Sequence, residues 1–137
     1  MTEPSILAKR VLVIDDKAQI RELVQICLEF FGGWKVQVAA SGREGLTKAM
    51  QELPDAIVLD VMMPDMNGIS VLKQLRANSA TQLIPVVLLT AEVDLIEPLM
   101  IEKLDVAGVI AKPFASVTLS KQLSKMFNWD DEFPPEI

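Results

Sequence analysis

Short, unbroken apolar runs alternate along this chain with stretches in which apolar residues recur every three or four positions. Arg10 to Ile14 (RVLVI) is β-branched and runs into Asp15-Asp16, which predicts a buried strand. Ile20, Leu23, Val24, Cys27 and Phe31 then share one helical face, and Gly32-Gly33 ends that helix. Trp34, Val36 and Val38 alternate with Lys35 and Gln37, as in a strand with one wetter face. Ser41 and Glu44 have the spacing of a capping box. They open a helix expected to turn Leu46, Ala49, Met50 and Leu53 inward before Pro54 closes it.

The second half repeats the pattern. Ala56 to Leu59 is a strand that runs into Asp60, and the turn from Met62 to Gly68 leads to a helix through Val71, Leu72 and Leu75. Pro85 to Leu89 is a strand that ends at Thr90, and Val106 to Ala111 is one that ends at Lys112-Pro113. Between those two, Pro98 belongs in a first turn, so the fourth helix is expected to start near Glu97 and to be short. A last helix uses Leu119, Leu123, Met126 and Phe127. Continuous rather than alternating apolar strands imply a parallel sheet covered on both faces. The fold class is therefore α/β, a doubly wound five-stranded sheet. The expected domain spans 9–127, between an N-terminal extension (1–8) and an acidic, Pro-containing tail (128–137).

In such a sheet, ligands bind beyond the carboxyl ends of the strands, where the strand order reverses. The polar residues stand at those ends: Asp15 and Asp16, Asp60, Thr90 and Lys112. With a strand order of 2-1-3-4-5, the first and third strands are neighbours and their acids share one pocket. Two like charges 4 Å apart repel by about 4 kcal/mol at an effective dielectric near 20. A cation must join them or a proton must be taken up. An all-oxygen site with room for water and phosphate oxygens suits Mg2+. Together with Lys112 it would neutralise a transferring phosphoryl group while a carboxylate attacks. Spacing alone leaves the nucleophile and the metal-holding acids unseparated.

Composition narrows the chemistry. The chain has 137 residues, no histidine, one cysteine and a net charge of -6. Histidine-based metal sites and triads are excluded, and nothing resembles a basic nucleic-acid surface. Cys27 lies on an apolar helix face and reads as core. No signal peptide or membrane span is visible, so a cytoplasmic protein is expected.

Taken in order, Val-Ile-Asp15-Asp16, Leu-Asp60-Val-Met-Met-Pro64-Asp-Met-Asn-Gly68, Leu-Thr90-Ala91 and Lys112-Pro113-Phe114 resemble the receiver domain of two-component response regulators. The resemblance covers about residues 8 to 127. It implies the (βα)5, flavodoxin-like (CheY-like) fold with order 2-1-3-4-5, in a stand-alone domain. It makes Asp60 the phosphoacceptor. It assigns Mg2+ to Asp15, Asp16, Asp60 and the Met62 backbone carbonyl. Thr90, Ala91 and Lys112 become the phosphate-contacting and switch residues, with a cis bond between Lys112 and Pro113. The implied donor is a sensor histidine kinase or a phosphotransfer protein. The implied output is contact with a downstream protein, with neither nucleic acid nor membrane bound directly. The face formed by the fourth helix, fifth strand and fifth helix is the expected docking or homodimer surface, because Leu95, Ile96, Leu99 and Met100 make that region apolar.

Three positions depart from the family pattern. Val109 stands where an aromatic is frequent, Asp105 where glycine is frequent, and Lys17 adds a cation beside the acids. Asp is tolerable at 105 because it enters the left-handed region more easily than most residues. The chain is expected to be a phosphoacceptor rather than an enzyme. The rivals are a receiver-shaped module that is never phosphorylated and an aspartyl-phosphate phosphatase. The phosphatases usually end their first strand Asp-x-Asp, not Asp-Asp.

Overall fold

The computed structural model describes residues 8–129. Five strands, β1 (Arg10–Ile14), β2 (Lys35–Ala39), β3 (Ala56–Asp60), β4 (Val86–Thr90) and β5 (Gly108–Ala111), form one sheet in the order β2-β1-β3-β4-β5. Every neighbouring pair is parallel. The helices are α1 (Ala18–Gly32), α2 (Gly42–Glu52), α3 (Gly68–Ala77), α4 (Pro98–Lys103) and α5 (Leu119–Met126).

Side-chain alternation along the strands builds a core on each face of the sheet. Val11, Val13, Val58, Val87 and Leu89 pack with Val24, Cys27 and Leu28 of α1 and Leu119 and Leu123 of α5. Leu12, Ile14, Ile57, Leu59 and Leu88 pack with Ala49 of α2 and Val71, Leu72 and Leu75 of α3. This two-sided cover explains why the strands read as continuous apolar runs.

Two helices turn differently from expectation. In α1 the inward stripe is Val24, Cys27 and Leu28, whereas Leu23 and Phe31 are largely exposed. In α2 the buried positions are Gly42, Gly45 and Ala49, and Met50 and Leu53 face outward. A Cβ on Gly45 would lie 2.5 Å from Ile14 Cδ1. The helix therefore lies on β1 through its smallest residues, with Leu46 packed at the side of the core as expected.

The fourth helix begins at Pro98 with Glu97 as its N-cap, after a separate 3-10 turn at Val93–Leu95. Asp105 adopts φ 54, in the left-handed region. The turn after α4 is held from α3 by Arg76. Its guanidinium donates to the carbonyls of Leu104 (2.9 Å), Ile84 (2.7 Å), Asp105 (3.2 Å) and Gln82 (3.1 Å).

Packing also runs past Phe127, where a tail was expected to begin. Trp129 is buried, meets Trp34 edge-to-face with ring centroids 5.2 Å apart, and has Lys9 Nζ 5.1 Å above its ring. Nothing before Trp129 signalled this, because its partner Trp34 is far away in the sequence. The rest of the expected tail (130–137) and residues 1–7 of the expected extension lie outside the described residues. Among the described residues no helix is long and apolar enough to cross a membrane.

Candidate functional site

Parallel register delivers the polar strand ends to one place. Ile14 pairs with Leu59, so Asp15 stands beside Asp60, and Thr90 pairs with Ala111, so Lys112 follows beside them. Two hydrogen bonds carry the ladder one step further at both flanks. The Asp15 N–H donates to Ala39 O (3.1 Å) and the Lys112 N–H to Thr90 O (2.8 Å). The first residue beyond each strand is thereby held nearly as firmly as the strand itself.

One carboxylate oxygen from each of Asp15, Asp16 and Asp60 lies within 4.8 Å of the others. Asp15 and Asp60 are 1% and 2% exposed. Lys112 Nζ lies 2.9 Å from Asp15 Oδ2 and 3.4 Å from Asp60 Oδ1. Asp15 Oδ1 accepts the Lys17 N–H at 2.9 Å, and Arg21 on α1 donates to the Asp15 carbonyl at 2.9 Å. Burial pushes the Asp60 carboxyl above the ordinary carboxylate range, and the charge of Asp15 adds to this. Lys112 and the Met62 N–H pull the other way.

Asp16 Oδ1 and Asp60 Oδ2 are buried with no hydrogen-bond donor among the described residues. Unpartnered buried carboxylate oxygens are costly. Two of them in a cluster of three acids, with the part-buried Lys112 paired to two of those acids, fit a hard divalent cation bound through oxygen. Lys17 Nζ stands 3.7 Å from Asp16 Oδ1, on the solvent side.

The remaining expected residues stand on β4 and β5 or just beyond β3, β4 and β5. Thr90 is fully buried and its Oγ1 accepts the Glu92 N–H at 2.9 Å, which leaves the hydroxyl proton for another acceptor. Ala91 follows it and is exposed. The Lys112–Pro113 bond is cis. Val109 is half-buried and packs on the second core with Leu104 and Val106. Met62 lines a cavity of 380 Å³ with Asp16, Lys17, Val61, Met63, Pro64 and Asn67. A larger cavity of 540 Å³, lined by Arg10, Trp34, Lys35 and Glu52 among others, lies at the opposite edge of the sheet and contains none of the acids.

The loop from Val61 to Gly68 is closed by the Gly68 N–H donating to Val61 O at 2.8 Å. A Cβ at position 68 would overlap the Asp60 carbonyl oxygen, so only glycine lets the loop return this close. Two contacts here had no sequence signal. Arg21 reads as an ordinary helical charge and Asp65 as a turn acid, yet Asp65 reaches across to α2. Its Oδ1 accepts the Gly42 N–H (3.0 Å) and its Oδ2 the Arg43 N–H (3.2 Å).

A sequence profile described as the response regulator receiver domain matches residues 11–124. The chain belongs to this family. The receiver domain is similar to the DNA-binding response regulator MtrA of Mycobacterium tuberculosis, with 33% identity over 96% of this chain and 56% of MtrA. It is also similar to the alkaline phosphatase synthesis transcriptional regulatory protein PhoP of Bacillus subtilis, with 40% identity over 78% of this chain and 43% of PhoP. The chain thus spans about half the length of these relatives. Among solved structures, the chemotaxis response regulator CheY4 of Vibrio cholerae superposes with a TM-score of 0.79 at 34% identity, covering 87% of this chain and 98% of that one. The fold is CheY-like, and the family places the receiver domain in phosphorylation-based two-component signalling. Receiver domains bind Mg2+ at an acidic pocket, and Asp15, Asp16 and Asp60 form an acidic cluster here.

Proposed function

We propose that this receiver domain accepts a phosphoryl group on Asp60 from a phosphohistidine, carried by a sensor kinase or a phosphotransfer protein. Asp15, Asp16 and Asp60, with the Met62 carbonyl, hold Mg2+, which supplies positive charge to the acids and to the transferring oxygens. The supporting observation is the convergence of three acids, two of them paired with Lys112, with buried oxygens on Asp16 and Asp60 that accept no hydrogen bond among the described residues.

The lone pair of an Asp60 carboxylate oxygen attacks phosphorus. The P–N bond of the donor breaks, and its electrons return to the imidazole nitrogen. Lys112, already balancing Asp15 and Asp60, neutralises charge on the phosphoryl oxygens. The Thr90 hydroxyl has a free proton and donates to one of those oxygens. Because Thr90 Oγ1 also holds the Glu92 N–H, its movement carries the loop that leads to α4. Val109 leaves no aromatic ring to follow, so the response passes through this loop and the short α4. Output is made by protein contacts, in two copies of the chain or with a partner, at the face of α4, β5 and α5. Leu99 there is 73% exposed.

Incubation with Mg2+ and a small phosphodonor, followed by mass spectrometry, tests this reading. One phosphoryl group should add to the native chain and none to Asp60→Asn. An adduct that survives in the variant moves the acceptor elsewhere. A receiver-shaped module that never takes a phosphoryl group would give no adduct at all.

A further inference from the structure

Asp65 is exposed, lies outside the acid cluster and has no part in the chemistry above. Its two carboxylate oxygens nevertheless reach from the β3–α3 loop to the first two residues of α2. That helix has its own cap, since Ser41 Oγ accepts the Glu44 N–H at 3.1 Å and Glu44 Oε1 accepts the Ala40 N–H at 2.9 Å. That cap serves the Glu44 and Ala40 N–H groups, and Asp65 accepts the two it leaves, Gly42 and Arg43.

The loop is anchored by the buried side chains of Val61 and Met63 and by Asn67, whose Oδ1 accepts the Ile69 N–H at 2.7 Å. Besides the closing bond between Gly68 and Val61, its tie to the rest of the molecule through Asp65 is polar, directional and two-pronged. The seam beside it is tight, because a Cβ on Gly42 would lie 2.9 Å from both Met66 Cβ and Val71 Cγ2. The start of α2 is in turn bound to the acids: Ala39 O accepts the Asp15 N–H, and Gly45 packs on Ile14. A continuous chain of contacts thus runs from Asp15 through the start of α2 to Asp65, three residues beyond Met62.

We infer that Asp65 is a positioning residue for the ion site, fixing the loop that carries the Met62 carbonyl against the platform that carries Asp15. This rests on the proposed Mg2+ site. Groups that orient metal ligands without touching the metal typically change affinity by 10- to 100-fold.

Titration calorimetry of the full chain with Mg2+ provides the test, with circular dichroism as the check on folding. Asp65→Ala should weaken Mg2+ binding by about tenfold. Asp65→Asn keeps one of the two acceptor oxygens and should recover part of the affinity lost in Asp65→Ala. Ser41→Ala removes the other cap of α2; it should lower the thermal midpoint and leave Mg2+ affinity unchanged. Equal affinity in the native and Asp65→Ala chains overturns the inference. So does an Asp65→Asn chain as weak as Asp65→Ala, which would assign the effect to charge. A native chain that binds no Mg2+ refutes the site reading itself, and the inference falls with it.

Discussion

Replacing Asp60 by Asn should stabilise the metal-free protein. The Asp60 carboxylate oxygen has two like charges within 4.8 Å and one lysine at 3.4 Å. At an effective dielectric near 20, each repulsion is worth about 3.5 kcal/mol and the attraction about 5 kcal/mol. The two repulsions win by about 2 kcal/mol before the cost of burying the charge is added. Asp16 is partly exposed and 3.7 Å from Lys17, which reduces its share. We therefore expect a gain of about 1–2 kcal/mol for the neutral, isosteric amide. For a domain of this size that is a rise in Tm of about 3–7 °C. Urea and thermal unfolding in EDTA at neutral pH measure it. The pH dependence has a definite sign. The folded-state pKa of Asp60 is raised, so the folded protein holds the proton more tightly than the unfolded chain. The Asp60 contribution should grow more favourable as pH falls through the folded pKa toward the unfolded one, and the advantage of Asp60→Asn should shrink there. Mg2+ should also narrow or reverse the gap, since ligand at 100 times its Kd adds about 2.7 kcal/mol to the state that binds it. An Asp60→Asn chain no more stable than native in EDTA at pH 7 would show that the acids are not in conflict, and would refute the reasoning.

Other substitutions probe the rest of the frame. Lys112→Met leaves Asp15 and Asp60 buried without their cation, and should cost about 3 kcal/mol in EDTA by urea denaturation. Gly45→Ala drives a methyl into Ile14 and should cost about 1–2 kcal/mol despite better helix propensity; adding Ile14→Val should recover part of that loss. Arg76→Met strips a charged donor from four carbonyls and should cost about 2–4 kcal/mol. Its hydrogen exchange should quicken chiefly over residues 98–106.

The sheet was legible because a strand buried on both faces has to be apolar throughout, and every strand but β2 runs into a polar residue. Once the parallel register is known, Asp15, Asp16, Asp60, Thr90 and Lys112 fall together without further assumption. The helix faces were harder to read. In α1, Leu23 and Leu28 fit helical periodicity equally well, and Leu28 is the one that packs with Leu119 and Leu123 of α5. In α2 the usual rule misleads, because close approach to Ile14 selects Gly42, Gly45 and Ala49 over the larger Met50 and Leu53. Contacts made by side chains across the fold left no trace along the chain. Asp65 on α2, Arg76 beneath α4 and Trp129 on Trp34 each join residues more than 20 positions apart.

The pairing of Trp34 with Trp129 has a spectroscopic consequence. These are the only tryptophans in the sequence, and both sit at a seam that closes the carboxyl-terminal end of the domain over the start of β2. The acids lie at the other edge of the sheet. Intrinsic ultraviolet emission should therefore follow the detachment of residue 129 from that seam and stay silent when the acids are titrated with ions, so the two events can be followed independently in one sample.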